Sequence, residues 1–345
     1  MIKPRRLAPG DTIAVLSPSG GAASAFPDIY RGGVDFIESR LGLKVKEYPS
    51  VGMSRGELWR NPRLRADDLN SAFADREVRA IVSTIGGDDA VRILEHLDLD
   101  LIMRNPKIIM GYSDSTAFLA YLNMHGLETC HGPSVMAGFA YLKNFPEALD
   151  ETTRVLFEDC EYSLEAFPAW AEKYRDWNFT ENVGEVQEIF SVDTGHHWIN
   201  KGPLSSGRLW GGCIEILEMM NGSFAWPGRD FFKDRVLFLE TSEDRPTPEH
   251  VSYVLRNLGL QGVLGQIRGL LIARPAGYSL DEKTCLEEKV RMIVVEEWGR
   301  DDLSIVMNMD FGHTEPRHIL PYGIELEIDA VNETMRFTEP IFADR

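Results

Sequence analysis

Lys107-Ile-Ile-Met-Gly-Tyr-Ser-Asp-Ser-Thr-Ala-Phe-Leu-Ala-Tyr121 is the stretch whose reading decides the fold. An apolar run, Ile108 to Met110, stops at Gly111. A polar cluster, Ser113 to Thr116, follows, and then Phe118, Leu119 and Leu122 return at helical spacing. The pattern spells strand, tight turn and helix, with Ser113 at the turn. A hydroxyl so placed lies at the carboxyl end of a buried strand and beside the positive end of a helix, which suits an acyl-transfer nucleophile. The same residues suit simple capping of the helix by Ser113 or Asp114. The local sequence leaves both readings open.

Working outward, the same grammar repeats. Thr12 to Ser17 is a short β-branched run ending in Pro18-Ser-Gly-Gly21, and helical spacing follows at Tyr30, Val34, Ile37 and Leu41. A weaker strand spans Leu43 to Tyr48, with a helix from Arg65 to Phe73. Arg79 to Thr84 is a third strand, running into Ile85-Gly-Gly-Asp-Asp89 and a helix from Ala90. Alternating strands and helices predict a doubly wound parallel sheet over residues 1–166, with sites at the carboxyl ends of its strands. Residues 167–203 break the rhythm. This crossover carries Trp170, Trp177 and Trp198 without a clear period, and so long an irregular piece is more often functional than decorative. Regularity resumes over residues 204–345: a strand or loop at Gly207 to Gly212, strands at Arg235 to Glu240, Ile267 to Ala273 and Ser304 to Met307, helices between them, and a closing hairpin from Gly323 to Phe337. The expected fold class is α/β, an N-terminal parallel domain plus a smaller C-terminal domain with a mixed sheet.

Composition narrows the function. The formal net charge is −18, from 54 acidic and 36 basic residues, a field that repels phosphate backbones and anionic lipid. No nucleic-acid polymer and no membrane are expected as partners. Cys130, Cys160, Cys213 and Cys285 are widely spaced and read as buried thiols of a reducing compartment, and no apolar run near the start is long enough for a signal segment. The expected location is cytoplasmic.

Three strand ends present reactive groups: Ser113, Glu240 and His313. A hydroxyl needs a base to become a nucleophile, and a histidine base needs a third group to fix its tautomer. The chain order Ser, Glu, His matches α/β-hydrolases, but Gly111-Tyr-Ser-Asp-Ser115 lacks the second glycine of their elbow. An esterase and a non-catalytic binding protein on the same scaffold therefore stand beside the peptidase reading. Gly86-Gly87 either ends a strand or lets backbone approach a substrate closely. His131 ends a strand on the same edge and is a candidate substrate contact. His196-His197 has no acid or thiol at ligand spacing and is read as exposed; His250 and His318 are read as structural. With no metal or P-loop motif present, neither a metal nor a cofactor is expected.

Ile85-Gly-Gly87, Asn105 to Asp114, His131-Gly-Pro133, Gly207 to Gly212, Leu237-Phe-Leu-Glu240 and Phe311-Gly-His313 occur in one order that resembles the LD-carboxypeptidase family of serine peptidases. The resemblance runs from about Pro9 to Phe342 and is nearest the branch that confers self-immunity to microcin C. It implies Ser113 as nucleophile, His313 as general base, Glu240 as its orienting acid, and the N–H groups of Gly87 and Asp114 as oxyanion hole. The Asp114 carboxylate would serve the helix start. The site would lie in a cleft between the domains, in a homodimer. Housekeeping members trim D-alanine from murein tetrapeptides; they usually carry arginine before the double glycine and Tyr-Gly after it, where this chain has Ile85 and Asp88-Asp89. That departure and the long crossover resemble the immunity branch, which cleaves the amide between an aspartyl residue and a modified adenylate. The small-molecule partner is then a peptide or an aminoacyl-nucleotide. Trp177 can stack on a purine or simply pack over the cleft. Gly86 and Arg208 are further candidate contacts, with Arg245, Arg274 and Arg317 as other arginines able to hold a substrate carboxylate.

Overall fold

In the computed structural model, which describes residues 1–158, 161–191 and 195–344, the first sheet forms from the apolar runs of the N-terminal half. Its strands β1 (Thr12–Leu16), β2 (Lys44–Glu47), β3 (Val78–Ser83), β4 (Ile108–Gly111) and β5 (Thr129–His131) are all parallel. β4 is buried along its whole length and β3 at all but one position, as expected where helices cover both faces. The helix Pro27–Leu41 starts on a proline and ends at Gly42, whose φ of 65° supplies the left-handed turn that closes it. Strand order is β5-β4-β3-β1-β2, so the order reverses between β1 and β3. A crevice opens at that reversal, beyond the carboxyl ends of the strands. The loops after β1, β3 and β4 all reach it.

The crossover contains a two-stranded ribbon, β6 (Ala169–Trp170) with β7 (Phe190–Ser191), and then β8 (His197–Asn200). β8 pairs antiparallel with the edge of the second sheet, so the last part of the stretch joins the C-terminal half. That sheet has a parallel centre of β9 (Ser205–Cys213), β10 (Arg235–Glu240), β11 (Gly269–Ala273) and β12 (Ser304–Met309). β13 (Leu320–Tyr322) leaves it and pairs antiparallel with β5 in the first sheet. β14 (Glu325–Asp329) and β15 (Thr334–Phe337) then form the predicted hairpin, added antiparallel to β9. The two-domain α/β architecture is thus the observed one, with a seven-stranded mixed sheet in the C-terminal half.

Cys130 and Cys213 are buried free thiols; Cys285 is only partly buried, a correction to its expected burial, and Cys160 lies outside the described residues. Among the described residues no helix is long and apolar enough to cross a membrane.

Candidate active site

Ser113 sits two residues past the end of β4 with φ of 60°. A residue with a Cβ pays roughly 1–2 kcal/mol for that left-handed conformation, and such strain concentrates at functional turns. The turn aims the hydroxyl away from the helix it precedes. The helix Thr116–Met124 has no side-chain cap, so the capping reading of Ser113 is not what the structure shows. The Asp114 carboxylate does not serve that helix either. It accepts from the backbone N–H groups of Asp89 and Ala90, at 3.1 and 2.9 Å, and so ties the glycine loop to the serine turn. Burial lifts the Asp114 carboxyl to about 6, against the pull of those N–H donors.

From the other domain, β10 ends on Glu240 and the loop after β12 carries His313. His313 Nε2 lies 3.1 Å from Ser113 Oγ, and His313 Nδ1 lies 2.6 Å from Glu240 Oε2. Three residues from three strand ends make one hydrogen-bonded chain. The approach of Glu240 depends on Gly312, where φ is 83° and an added Cβ would sit 2.6 Å from Glu240 Oε2. His131 is not a substrate contact. It is fully buried behind Glu240, with Nε2 3.3 Å from Oε1, so the acid is held by two imidazoles. Burial alone would raise the Glu240 carboxyl, but the His313 charge and the His131 hydrogen bond outweigh it and hold it at about 2. Burial would likewise lower His313; Glu240 and then Glu243 outweigh it and push the imidazole up to about 10.

Glu243 competes with Ser113 for His313 Nε2. Its Oε2 lies 2.9 Å from His313 Nε2, while its side chain remains 75% exposed. Solvent screens so open a carboxylate, so its influence is smaller than that of Glu240. It still favours the protonated imidazole, which cannot accept the serine proton. Glu243→Gln should therefore move the acid limb of the kcat/KM profile to lower pH. A pH–rate series on both proteins checks this, and an unmoved limb would refute it.

Gly86 faces Ser113 from within the first domain. An added Cβ there would lie 2.8 Å from Ser113 Oγ and 3.5 Å from the Asp114 nitrogen, so the glycine loop runs across the Ser113 hydroxyl. Gly86→Ala should cost on the order of 10²-fold in kcat by displacing the serine, with the fold retained in circular dichroism. A variant at wild-type turnover would show the approach to be slack.

These groups open into a cleft of about 1440 Å³. Residues 13–132 match the LD-carboxypeptidase N-terminal domain, and residues 206–328 match the LD-carboxypeptidase C-terminal domain. The chain belongs to the LD-carboxypeptidase family. It is therefore a peptidase of the carboxypeptidase class.

Among relatives, the chain is 26% identical over 342 residues to the microcin C7 self-immunity protein MccF of Escherichia coli, covering 96% of this chain and 94% of that one. It is 25% identical over 339 residues to a probable murein peptide carboxypeptidase of Bacillus subtilis, covering 96% and 93%. In structure it is similar to MccF in complex with aspartyl sulfamoyl adenosine, with TM-score 0.85, 25% identity and coverage of 99% and 100%. It is also similar to an MccF-like protein from Streptococcus pneumoniae in complex with AMP, with TM-score 0.84, 26% identity and coverage of 95% and 98%.

Of the arginines read from the sequence, none lines the cleft. Arg208 lies in the N-terminal half of β9, away from the catalytic edge, bound to the Gly323 carbonyl at 2.6 Å and Glu339 at 3.1 Å. Arg274 is buried against Asp310 at 2.7 Å, and Arg317 against Glu315 at 3.2 Å, its guanidinium 4.0 Å over Tyr112. Arg245 faces Glu282 on the surface. The cations that do line the cleft are Arg55, Lys173 and Arg175, on a short helix and in the crossover, where no periodic signal marked them. Trp177 lines it too. Its ring stands edge-on to Phe26 at 5.4 Å and stacks with Tyr174 at 5.7 Å, and its Nε1 donates to Tyr141 Oη at 2.6 Å.

Proposed function

We propose that this peptidase hydrolyses an amide through an acyl-enzyme on Ser113, and that its substrate joins an aminoacyl group to a nucleotide. The observation that carries the mechanism is the Ser113–His313–Glu240 chain at 3.1 and 2.6 Å on the floor of the cleft. His313 takes the proton of the serine hydroxyl, and Oγ attacks the carbonyl. Negative charge develops on the carbonyl oxygen, and the N–H groups of Gly87 and Asp114 stabilise it. His313 then protonates the departing nitrogen. Water, deprotonated by the same imidazole, releases the acid.

The rigid aromatic wall of Phe26, Tyr174 and Trp177 supports the nucleotide part of the reading, since a purine has a flat π-face to lay on it. The relatives solved with aspartyl sulfamoyl adenosine and with AMP point the same way. Resistance to microcin C-like toxins is the role that fits, exercised in the cytoplasm by a homodimer. The second reading, trimming of murein tetrapeptides, rests on the similarity to the Bacillus subtilis protein; there Arg55 or Arg175 would receive the terminal carboxylate.

A competition experiment separates the two. Enzyme is given an aspartyl-adenylate amide and a murein tetrapeptide together, and products are followed by mass. We expect the adenylate amide to be consumed first, and Trp177→Ala to raise its KM about tenfold or more, the loss of one stacked base. Cleavage of the tetrapeptide alone would assign the protein to the murein reading.

A further inference from the structure

Behind the loop that carries His313, the structure places His196, Asp310 and His318 together, and we propose that they bind one first-row divalent cation of the zinc class. One ligand atom from each of the three lies within 4.8 Å of the other two. His196 Nε2 stands 3.5 Å from Asp310 Oδ2. The sequence separates His196 from the other two by more than a hundred positions, so spacing gave no sign of the acid. The expectation that His196 is exposed fails as well: its side chain is 7% exposed, and Asp310 and His318 are fully buried.

What distinguishes this cluster from an ordinary buried ion pair is the state of its nitrogens. His318 Nδ1 lies 2.8 Å from Glu151 Oε1. In the neutral imidazole, Nδ1–H donated to that carboxylate leaves the lone pair on Nε2, which has no hydrogen-bond partner among the described residues. His196 Nε2 is buried as well, and among the described residues it makes no hydrogen bond of good geometry, with the Asp310 carboxylate 3.5 Å away. Buried polar atoms are nearly always satisfied, so two imidazole nitrogens turned toward one carboxylate call for a group that fills the space between them. A carboxylate holding the far nitrogen of a ligating histidine is also the usual support for a metal-bound imidazole.

The donor set selects the ion. Two imidazoles and one carboxylate suit zinc or cobalt, whereas magnesium and calcium prefer all-oxygen shells. Ligands about 2.1 Å from a tetrahedral ion are about 3.4 Å apart, so a gap as wide as 4.8 Å closes by about 1.4 Å on binding. Asp310 meets Arg274 Nη1 at 2.7 Å through Oδ1, leaving Oδ2, which also accepts from Phe167 N at 3.1 Å, to face the ion. Arg274 places a positive charge beside the site and weakens it.

The consequence concerns the base. Asp310 and His318 flank Phe311 to Arg317, the loop bearing His313, and His196 belongs to the crossover. A bound ion fastens that loop to the crossover, a structural role apart from the serine chemistry.

The test uses the full-length enzyme, stripped with a chelator and dialysed. Zn²⁺ alone is titrated by calorimetry, Co²⁺ is titrated with its visible bands recorded, and thermal melting is measured with and without Zn²⁺. We expect one ion per chain and a rise in melting temperature. His196→Gln should weaken binding at least tenfold, abolish the zinc-dependent rise and leave the metal-free melting temperature unchanged. His197→Gln, which alters the neighbouring histidine paired with Glu287 at 2.7 Å, should bind like wild type. Absence of a bound ion in the wild-type chain, or unchanged binding in His196→Gln, would overturn the proposal.

Discussion

Ser113→Ala should lower kcat/KM on an aspartyl-adenylate amide by about 10⁴–10⁶, the range lost when a triad nucleophile is removed. The protein should remain folded. Ser113 is 9% exposed, its hydroxyl hydrogen-bonds among the described residues to the His313 imidazole alone, and alanine keeps the Cβ and therefore the left-handed strain. Glycine at the same position removes both hydroxyl and strain. Ser113→Gly should be equally inactive yet about 1 kcal/mol more stable than Ser113→Ala. The pair of variants separates two statements about the turn. Activity reports the nucleophile, and the difference in melting temperature reports the conformational cost of presenting it. Turnover within tenfold of wild type in either variant would remove Ser113 from the chemistry.

Glu240→Gln should cost on the order of 10⁴ in kcat, because the amide no longer selects the His313 tautomer or stabilises the imidazolium that forms. Its stability profile should change as well. Glu240 is held below its ordinary 4.5, so its contribution is present above about pH 4.5 and is lost as pH falls through about 2. His313 is held above its ordinary 6.5, so its contribution is full below about pH 6.5 and is lost as pH rises through about 10. The wild-type melting temperature should therefore fall between pH 7 and 10 more steeply than that of Glu240→Gln. Parallel melting curves across that window would show that the pairing contributes nothing to the fold.

Most of the first sheet was legible because its strands are buried on both faces and read as unbroken apolar runs; β3 and β4 are examples. β13 was not legible. It has three residues with a proline in the middle, and such a strand is confined to a sheet edge that no local pattern announces. The same physics sorts the site. The structure brings Ser113, Glu240 and His313 together, and the sequence pointed to them because each stands where a strand hands over to a loop. His131 also ends a strand, but its ring turns down onto Glu240, and side-chain direction at a strand end is set by the neighbouring sheet. Arg208 was drawn in by its motif, yet it lies five residues before the end of β9, remote from the catalytic edge. Arg55 and Arg175 belong to segments without periodicity, where only the folded chain shows which cations face the cleft.

The placement of β13 bears on how the protein is made. While the chain leaves the ribosome, β1 to β5 are complete by residue 131, but the outer edge of β5 has no partner until Leu320 to Tyr322 emerge. Between residue 131 and residue 320 the nascent first domain therefore carries an open strand edge, the kind of surface that recruits chaperones or mispairs. The same delay keeps the serine harmless, since Glu240 and His313 are also late. His313 and β13 are made within ten residues of each other, so the first sheet gains its last strand as the Ser113–His313–Glu240 chain is completed.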